Sequence, residues 1–176
     1  MESVIVAIFS FVGGLAAWTF VEYLIHAWLS HRWRTFASPL HQVHHDDPRR
    51  VFTIRAWLPV AASWTVGAAL WGLAPAMVFY SGMVSGFALY ELMHYRVHFR
   101  VPQNHLEAYL RERHLVHHYK AADRCFGVTN ALWDRVFSSE PGAAEMRSLR
   151  AAVRPTPPFA GRTNVRMLFR FGNAAR

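Results

Sequence analysis

The sequence predicts an all-α fold: an integral membrane helical bundle of about three transmembrane helices, carrying a cytoplasmic, histidine-rich helical cap. Three observations predict it. Residues 3–21 and 56–90 contain no charged side chain. All nineteen lysines and arginines lie at or beyond Arg32, outside both stretches. Ten of the eleven histidines fall into four groups beside them: His26 with His31, then His41, His44 and His45, then His94 with His98, then His114, His117 and His118.

A chain of 176 residues suits one domain. With 53% hydrophobic residues and seven tryptophans it is apolar for a soluble one. As a single helix the 35-residue uncharged stretch would extend about 50 Å, well beyond a hydrocarbon core of about 30 Å, so it is expected to fold into two passes. The net charge of +8 is distributed as the positive-inside rule requires of a protein whose first loop and C-terminal part are cytoplasmic. No nucleic-acid-binding module accompanies that charge, which excludes nucleic acid as the partner. The single Cys125 excludes an intramolecular disulfide framework and a multi-cysteine zinc site. Any metal must be held by histidine, with carboxylate as the other available donor.

In chain order, residues 3–25 read as the first span rather than as a secretion signal, because no basic segment precedes the apolar run and its end leads directly into His26. Gly13 and Gly14 offer close packing, and Trp18, Tyr23 and Trp28 approach the interface. Glu22, one turn before His26, is a candidate to orient an imidazole; the other reading is a glutamate reaching water. His26 and His31 are five apart, about 140° on a straight α-helix. Either the helix ends between them or they reach the site from different elements. The basic connection 32–55 contains a helix start at Ser38-Pro39, followed by the HQVHH run and a stop at Asp46-Asp47-Pro48. A second span over 56–74 ends near Gly72 and Pro75. A third over 76–99 carries Glu91, His94 and His98 out at its cytoplasmic end, with Gly67, Gly82 and Gly86 permitting close helix contact.

After Pro102, residues 103–120 read as a helix capped by Asn104 with Glu107 in the capping-box position. His105 then lies about half a helical rotation from His114 and is left out of the site. Residues 138–163, rich in Pro, Gly, Ala and Arg, read as a loosely ordered surface segment. Arg162, Arg166 and Arg170 beside Val165, Leu168 and Phe169 have the layout of a basic interfacial helix, with a disordered tail as the alternative. The organisation expected is a membrane unit over 1–137 and a basic tail over 138–176.

Two HxxHH runs and two further histidine pairs, all on one side of a membrane, are hard to explain as packing. Neutral imidazole binds zinc, copper, iron or nickel. Ten ligands exceed the four of one tetrahedral ion and suffice for two ions, His26, His31, His41, His44, His45, His94, His98, His114, His117 and His118 being the ligands. Glu22, Glu91 and Asp46 are the carboxylates placed to orient them, and Asp134 is the acidic residue expected to be structural. A haem protein would need only one or two axial histidines. A metal transporter would carry its ligands at midplane depth and not at the helix ends, and remains the alternative of another class.

The set EYLIHAWLSH, HQVHH, ELMHYRVH and HLVHH, followed by FGVTNALWDRVF, resembles the fatty acid hydroxylase and sterol desaturase superfamily over residues 20–137. Within it, HLVHHYK with FGVTNALWDRVF is most similar to the fatty acid 2-hydroxylases. The resemblance implies a dimetal centre held by the ten histidines, with iron in the active form and zinc able to occupy it on isolation. It further implies O2 as co-substrate and a lipid as substrate, hydroxylated or desaturated at an unactivated C–H bond. A fatty acyl chain is the first expectation, and a carotenoid or a sterol the nearest rival. The sequence shows no fused cytochrome b5-like domain, so a separate ferredoxin- or cytochrome-type electron donor is expected. Eighteen arginines to one lysine hint at a GC-rich bacterial genome and thus an inner-membrane location.

Overall fold

The computed structural model describes residues 2–33, 35–51 and 54–153; the basic helix expected around Arg162 to Arg170 lies outside them. The described residues are helical, with no strand among them. Helix α1 (Glu2–Tyr23) continues into a π-helical segment (Leu24–Arg32). α2 (Ala37–Asp46), α3 (Ile54–Trp71), α4 (Pro75–Phe99), α5 (His105–Tyr119), α6 (Leu132–Val136) and α7 (Ala143–Ala152) follow.

Local sequence accounts for most boundaries. Asn104 caps α5 by accepting from the Glu107 N–H at 2.9 Å, and Pro75 opens α4 where its missing N–H costs nothing. Gly72 ends α3 in the left-handed region at φ 56°. α2 starts two residues before the Ser38-Pro39 signal. The Ser38 hydroxyl instead turns back to the Leu29 carbonyl at 3.0 Å and the Trp33 carbonyl at 2.7 Å, tying α2 to the π segment. Residues 143–152, expected to be loosely ordered, form α7, and Arg150 pairs with Glu112 of α5.

Among the described residues, two helices are long and apolar enough to cross a membrane: α1 with the π segment, and α4. They pack directly on each other through glycine. A methyl group at Gly14 would run into the Phe79 carbonyl, one at Gly82 into the Phe11 carbonyl, and one at Gly86 into the Trp18 side chain. Contacts of Gly14 with Gly82 and of Trp18 with Gly86 advance together along both chains, so α1 and α4 run parallel. α3 runs antiparallel to α4: Trp57 stacks on Phe87 at 4.5 Å, the Ser63 and Tyr80 hydroxyls meet at 2.6 Å, and Gly67 faces Met77. α3 thereby returns the chain from the end of α1 to the start of α4, and both α1 and α4 deliver their histidines at the same end.

Because the α1–α4 contact is backbone to backbone, Gly82→Leu is expected to destabilise the fold by about 1–3 kcal/mol, the usual cost of overpacking. A lowered thermal midpoint in detergent checks this; an unchanged one would mean that the helices do not pack through Gly82.

Candidate metal centre

All ten histidines singled out in the sequence converge at the common end of the bundle, in two groups of five. The first is His26, His31, His41, His45 and His117; the second is His44, His94, His98, His114 and His118. Within each group the facing donor atoms all lie within 4.8 Å of one another. His105 is exposed at the start of α5 and belongs to neither.

The helices divide the ten histidines reciprocally. α2 sends His41 and His45, one turn apart, to the first group and His44 to the second. α5 sends His114 and His118 to the second group and His117 to the first. α4 completes the second group with His94 and His98, and the π segment completes the first with His26 and His31. That π segment resolves the five-residue spacing. Trp33 N–H donates to the Trp28 carbonyl five residues back at 2.7 Å, and the wider turn brings His26 and His31 onto one face with ring centroids 5.3 Å apart.

The rings meet nitrogen to nitrogen. In the first group the Nε2 atoms of His26 and His117 lie 3.1 Å apart, His31 and His41 2.9 Å, His41 and His45 2.9 Å, and His45 and His117 3.2 Å. In the second, His44 faces His94 at 2.9 Å and His118 at 3.0 Å, while His98 faces His114 at 2.8 Å. Not all of these contacts can be N–H···N bonds: His26 and His117 each donate through Nδ1 to a carbonyl, so their facing Nε2 lone pairs repel. A cation at their centre removes the conflict. Donors about 2.1 Å from one ion and at right angles to each other would be about 3.0 Å apart, against about 3.4 Å in a tetrahedron. The observed spacing fits an ion with more than four ligands in each group.

Outer ring nitrogens fix which nitrogen faces inward. His26 Nδ1 donates to the Phe126 carbonyl at 2.5 Å, His117 Nδ1 to the Arg124 carbonyl at 2.8 Å, and His44 Nδ1 to the Arg50 carbonyl at 3.2 Å. Each bond leaves Nε2 as the unprotonated donor. These backbone acceptors were not legible in the sequence, though Gly127 and Asp134 in FGVTNALWDRVF marked the loop that supplies two of them.

The carboxylates sort themselves. Glu22 touches no histidine; it accepts from Val128 N–H at 2.7 Å, Thr129 N–H at 3.0 Å and the Thr129 hydroxyl at 2.5 Å. Asp134, fully buried, accepts from Phe126 N–H and Gly127 N–H, both at 2.8 Å, and pairs with Arg113 at 2.7 Å. Glu91 is buried one turn before His94, receives a hydrogen bond from Trp57 and leaves Oε2 without a partner. Asp46 is exposed, accepts from Gln42 at 2.8 Å, and acts on the neighbouring His45 through its charge.

Burial, reinforced by neighbouring imidazoles, pushes His44 down to about 3. Burial likewise holds His41, His45, His114, His117 and His118 below the ordinary histidine value. The unfolded chain therefore takes up protons as pH falls through about 6.5 while the folded chain does not. The associated stability is full above that pH and is lost below it. Metal-free protein is expected to show a falling thermal midpoint between about pH 7.5 and pH 5.5; a flat profile would contradict the buried neutral rings.

The fatty acid hydroxylase family profile matches residues 11–139. This chain belongs to that family. Its relatives include dihydroceramide fatty acyl 2-hydroxylase FAH2 of Arabidopsis thaliana, 32% identical over 73% of this chain and 59% of that protein. The ceramide very long chain fatty acid hydroxylase scs7 of Schizosaccharomyces pombe is 34% identical over 77% of this chain and 43% of its own. A solved structure of full-length scs7p, in which only the hydroxylase domain is visible, superposes with a TM-score of 0.63 at 32% identity, over 77% of this chain and 56% of that one. This member of the fatty acid hydroxylase family thus spans about three fifths or less of these relatives' length.

Proposed function

We propose that this chain is a membrane-bound hydroxylase that holds one metal ion in each histidine group and uses O2 to hydroxylate a C–H bond of a fatty acyl chain. One observation carries the reading: ten convergent imidazole nitrogens, in two sets of five, at one end of apolar helices long enough to cross a membrane. The relatives' names supply the substrate class, the fatty acyl chain of a ceramide or dihydroceramide, with 2-hydroxylation named for the plant relative. Iron is the proposed metal of the active form, because O2 chemistry needs a redox-active ion and an all-imidazole set accepts iron as readily as zinc. The bound metal pair would supply the oxidising chemistry, with electrons delivered by a separate ferredoxin- or cytochrome-type donor.

The chain's own part is positioning. The imidazoles hold the ions, the backbone carbonyls of Arg50, Arg124 and Phe126 hold three of the imidazoles, and the aromatic wall of Trp18, Trp57, Phe87 and Tyr90 lines the membrane side of His94. In the proposed topology α1, α3 and α4 are three spans, supported by the parallel run of α1 and α4 with α3 returning between them. In the same proposal the histidine end lies on the cytoplasmic side, a reading supported by the basic residues, all at or beyond Arg32. Phe36, Leu40 and Val43, exposed along α2, continue the apolar surface of the spans and set the cap against the bilayer. Residues 1–137 are the proposed hydroxylase unit, although packing continues to Ser139 and Glu140, which bind Asp134 and Arg113. The arginine-rich composition supports a bacterial inner membrane.

A metal carrier would need ligands at mid-depth in the spans, whereas these lie at the helix ends. The deciding experiment is expression with and without oxygen, followed by mass spectrometry of total lipids. Oxygen-dependent gain of one oxygen atom on an acyl chain is expected, and the same gain on a carotenoid or sterol would reassign the substrate. No oxygenated lipid with a competent reductant present would refute the hydroxylase reading.

A further inference from the structure

The two histidine groups are served unequally by the rest of the protein. One loop, residues 124–129, supplies the acceptors for two ligands of the first group: the Arg124 carbonyl for His117 and the Phe126 carbonyl for His26. Between these carbonyls Cys125 sits in the left-handed region at φ 57°, a conformation an L-residue holds only when its surroundings impose it. Two buried carboxylates impose it. Asp134 takes the N–H groups of Phe126 and Gly127, and Glu22, reaching across from the first span, takes those of Val128 and Thr129 and the Thr129 hydroxyl. Gly127 is required there, since a methyl group would collide with the Asn130 carbonyl.

That loop does not serve the second group. His44 has a longer bond to the Arg50 carbonyl, at 3.2 Å, and the buried Nδ1 atoms of His94, His114 and His118 have no hydrogen-bond partner among the described residues. None of its ligands touches the loop.

We infer that the metal sites are inequivalent, the first group binding its ion more tightly, and that Glu22 is a positioning residue for that site alone, acting through the loop and the Phe126 carbonyl on His26. This rests on the proposal that each group holds a metal. Its sign follows from pre-orientation: rings already fixed in tautomer and direction lose less freedom on ligation, and removing such support weakens affinity about 10–100-fold.

The test uses full-length protein in detergent, loaded with zinc and equilibrated against graded chelator, with metal counted per chain. Wild type is expected to release its two ions in separate steps. Two backgrounds assign them: His94→Ala/His98→Ala leaves the first group intact, and His41→Ala/His45→Ala leaves the second. Glu22→Gln replaces charge-assisted bonds by weaker neutral ones and is expected to shift release about tenfold in the first background and not in the second. Thr129→Val, which removes only one bond from the clamp, should give a smaller shift of the same selectivity and serves if Glu22→Gln does not fold. Equal shifts in both backgrounds, or none in either, would overturn the inference. Wild type binding fewer than two ions at saturation would instead overturn the two-metal reading beneath it.

Discussion

Alanine at His117 or at His44 is expected to lower formation of the oxygenated lipid by at least about 100-fold, more than the loss of an orienting group alone. Each is the one ligand its helix contributes to the opposite group. His117 leaves α5, whose other two site histidines serve the second group, and meets His26 and His45 in the first. His44 crosses from α2 in the other direction and meets His94 and His118. Removing either takes a ligand from one ion and also a link that ties α2 and α5 across the centre. His105→Ala is the internal control: that ring is exposed, lies outside both groups, and should leave product and metal content unchanged. The measurement is lipid mass spectrometry alongside metal counting. If His105→Ala and His117→Ala gave equal product, the proposed centre would be wrong.

The contrast between His105 and the other ten shows how much was legible. Clustering in the sequence singled out every ring that the fold brings together, and one-turn spacing accounts for those on α2, α4 and α5. Helix phase also excluded His105. What spacing could not supply was how the rings are divided. HQVHH and HLVHH each look like a single unit, yet position 44 in one and 117 in the other point to the opposite group, a consequence of how α2 and α5 cross. His26 and His31 looked mismatched because α-helical geometry was assumed, and no residue in LIHAWLSHR announces an i to i+5 pattern. The glycines of α1 and α4 were legible as contact points, and the expected three passes already implied that the two helices run in the same direction; that they pack directly on each other was not legible. Backbone acceptors such as the Phe126 carbonyl carry no side-chain signature at all. Glu22 was legible as a costly carboxylate needing a partner, and the partner is a loop 106 residues away in the chain rather than the adjacent imidazole.

Asp134→Ala is expected to cost about 3–5 kcal/mol of stability, because it breaks a wholly buried ion pair and strands the loop N–H groups that the carboxylate binds. Arg113 is wholly buried on α5, between His114 and the loop, and its guanidinium is held by Asp134 on one side and Glu140 on the other. The Asp134 carboxylate also satisfies Phe126 N–H, Gly127 N–H and the Ser139 hydroxyl at 2.7 Å. Truncation therefore leaves the buried guanidinium with Glu140 alone and orphans the two loop N–H donors, while the Ser139 hydroxyl keeps the Tyr23 hydroxyl at 3.0 Å. Two contributions can be separated by a second change. Arg113→Met removes the buried charge that Glu140 alone would have to balance, so the double variant Arg113→Met/Asp134→Ala should recover part of the loss, as apolar replacement of buried ion pairs often does. The remainder would measure the loop donors, which methionine cannot reach. Unfolding of the two variants in detergent distinguishes the cases: a double variant no more stable than Asp134→Ala alone would show that Asp134 is needed for the loop and not for the charge. In that event the residue expected from sequence to be structural would be so for a different reason, as the anchor of the carbonyl that holds His26.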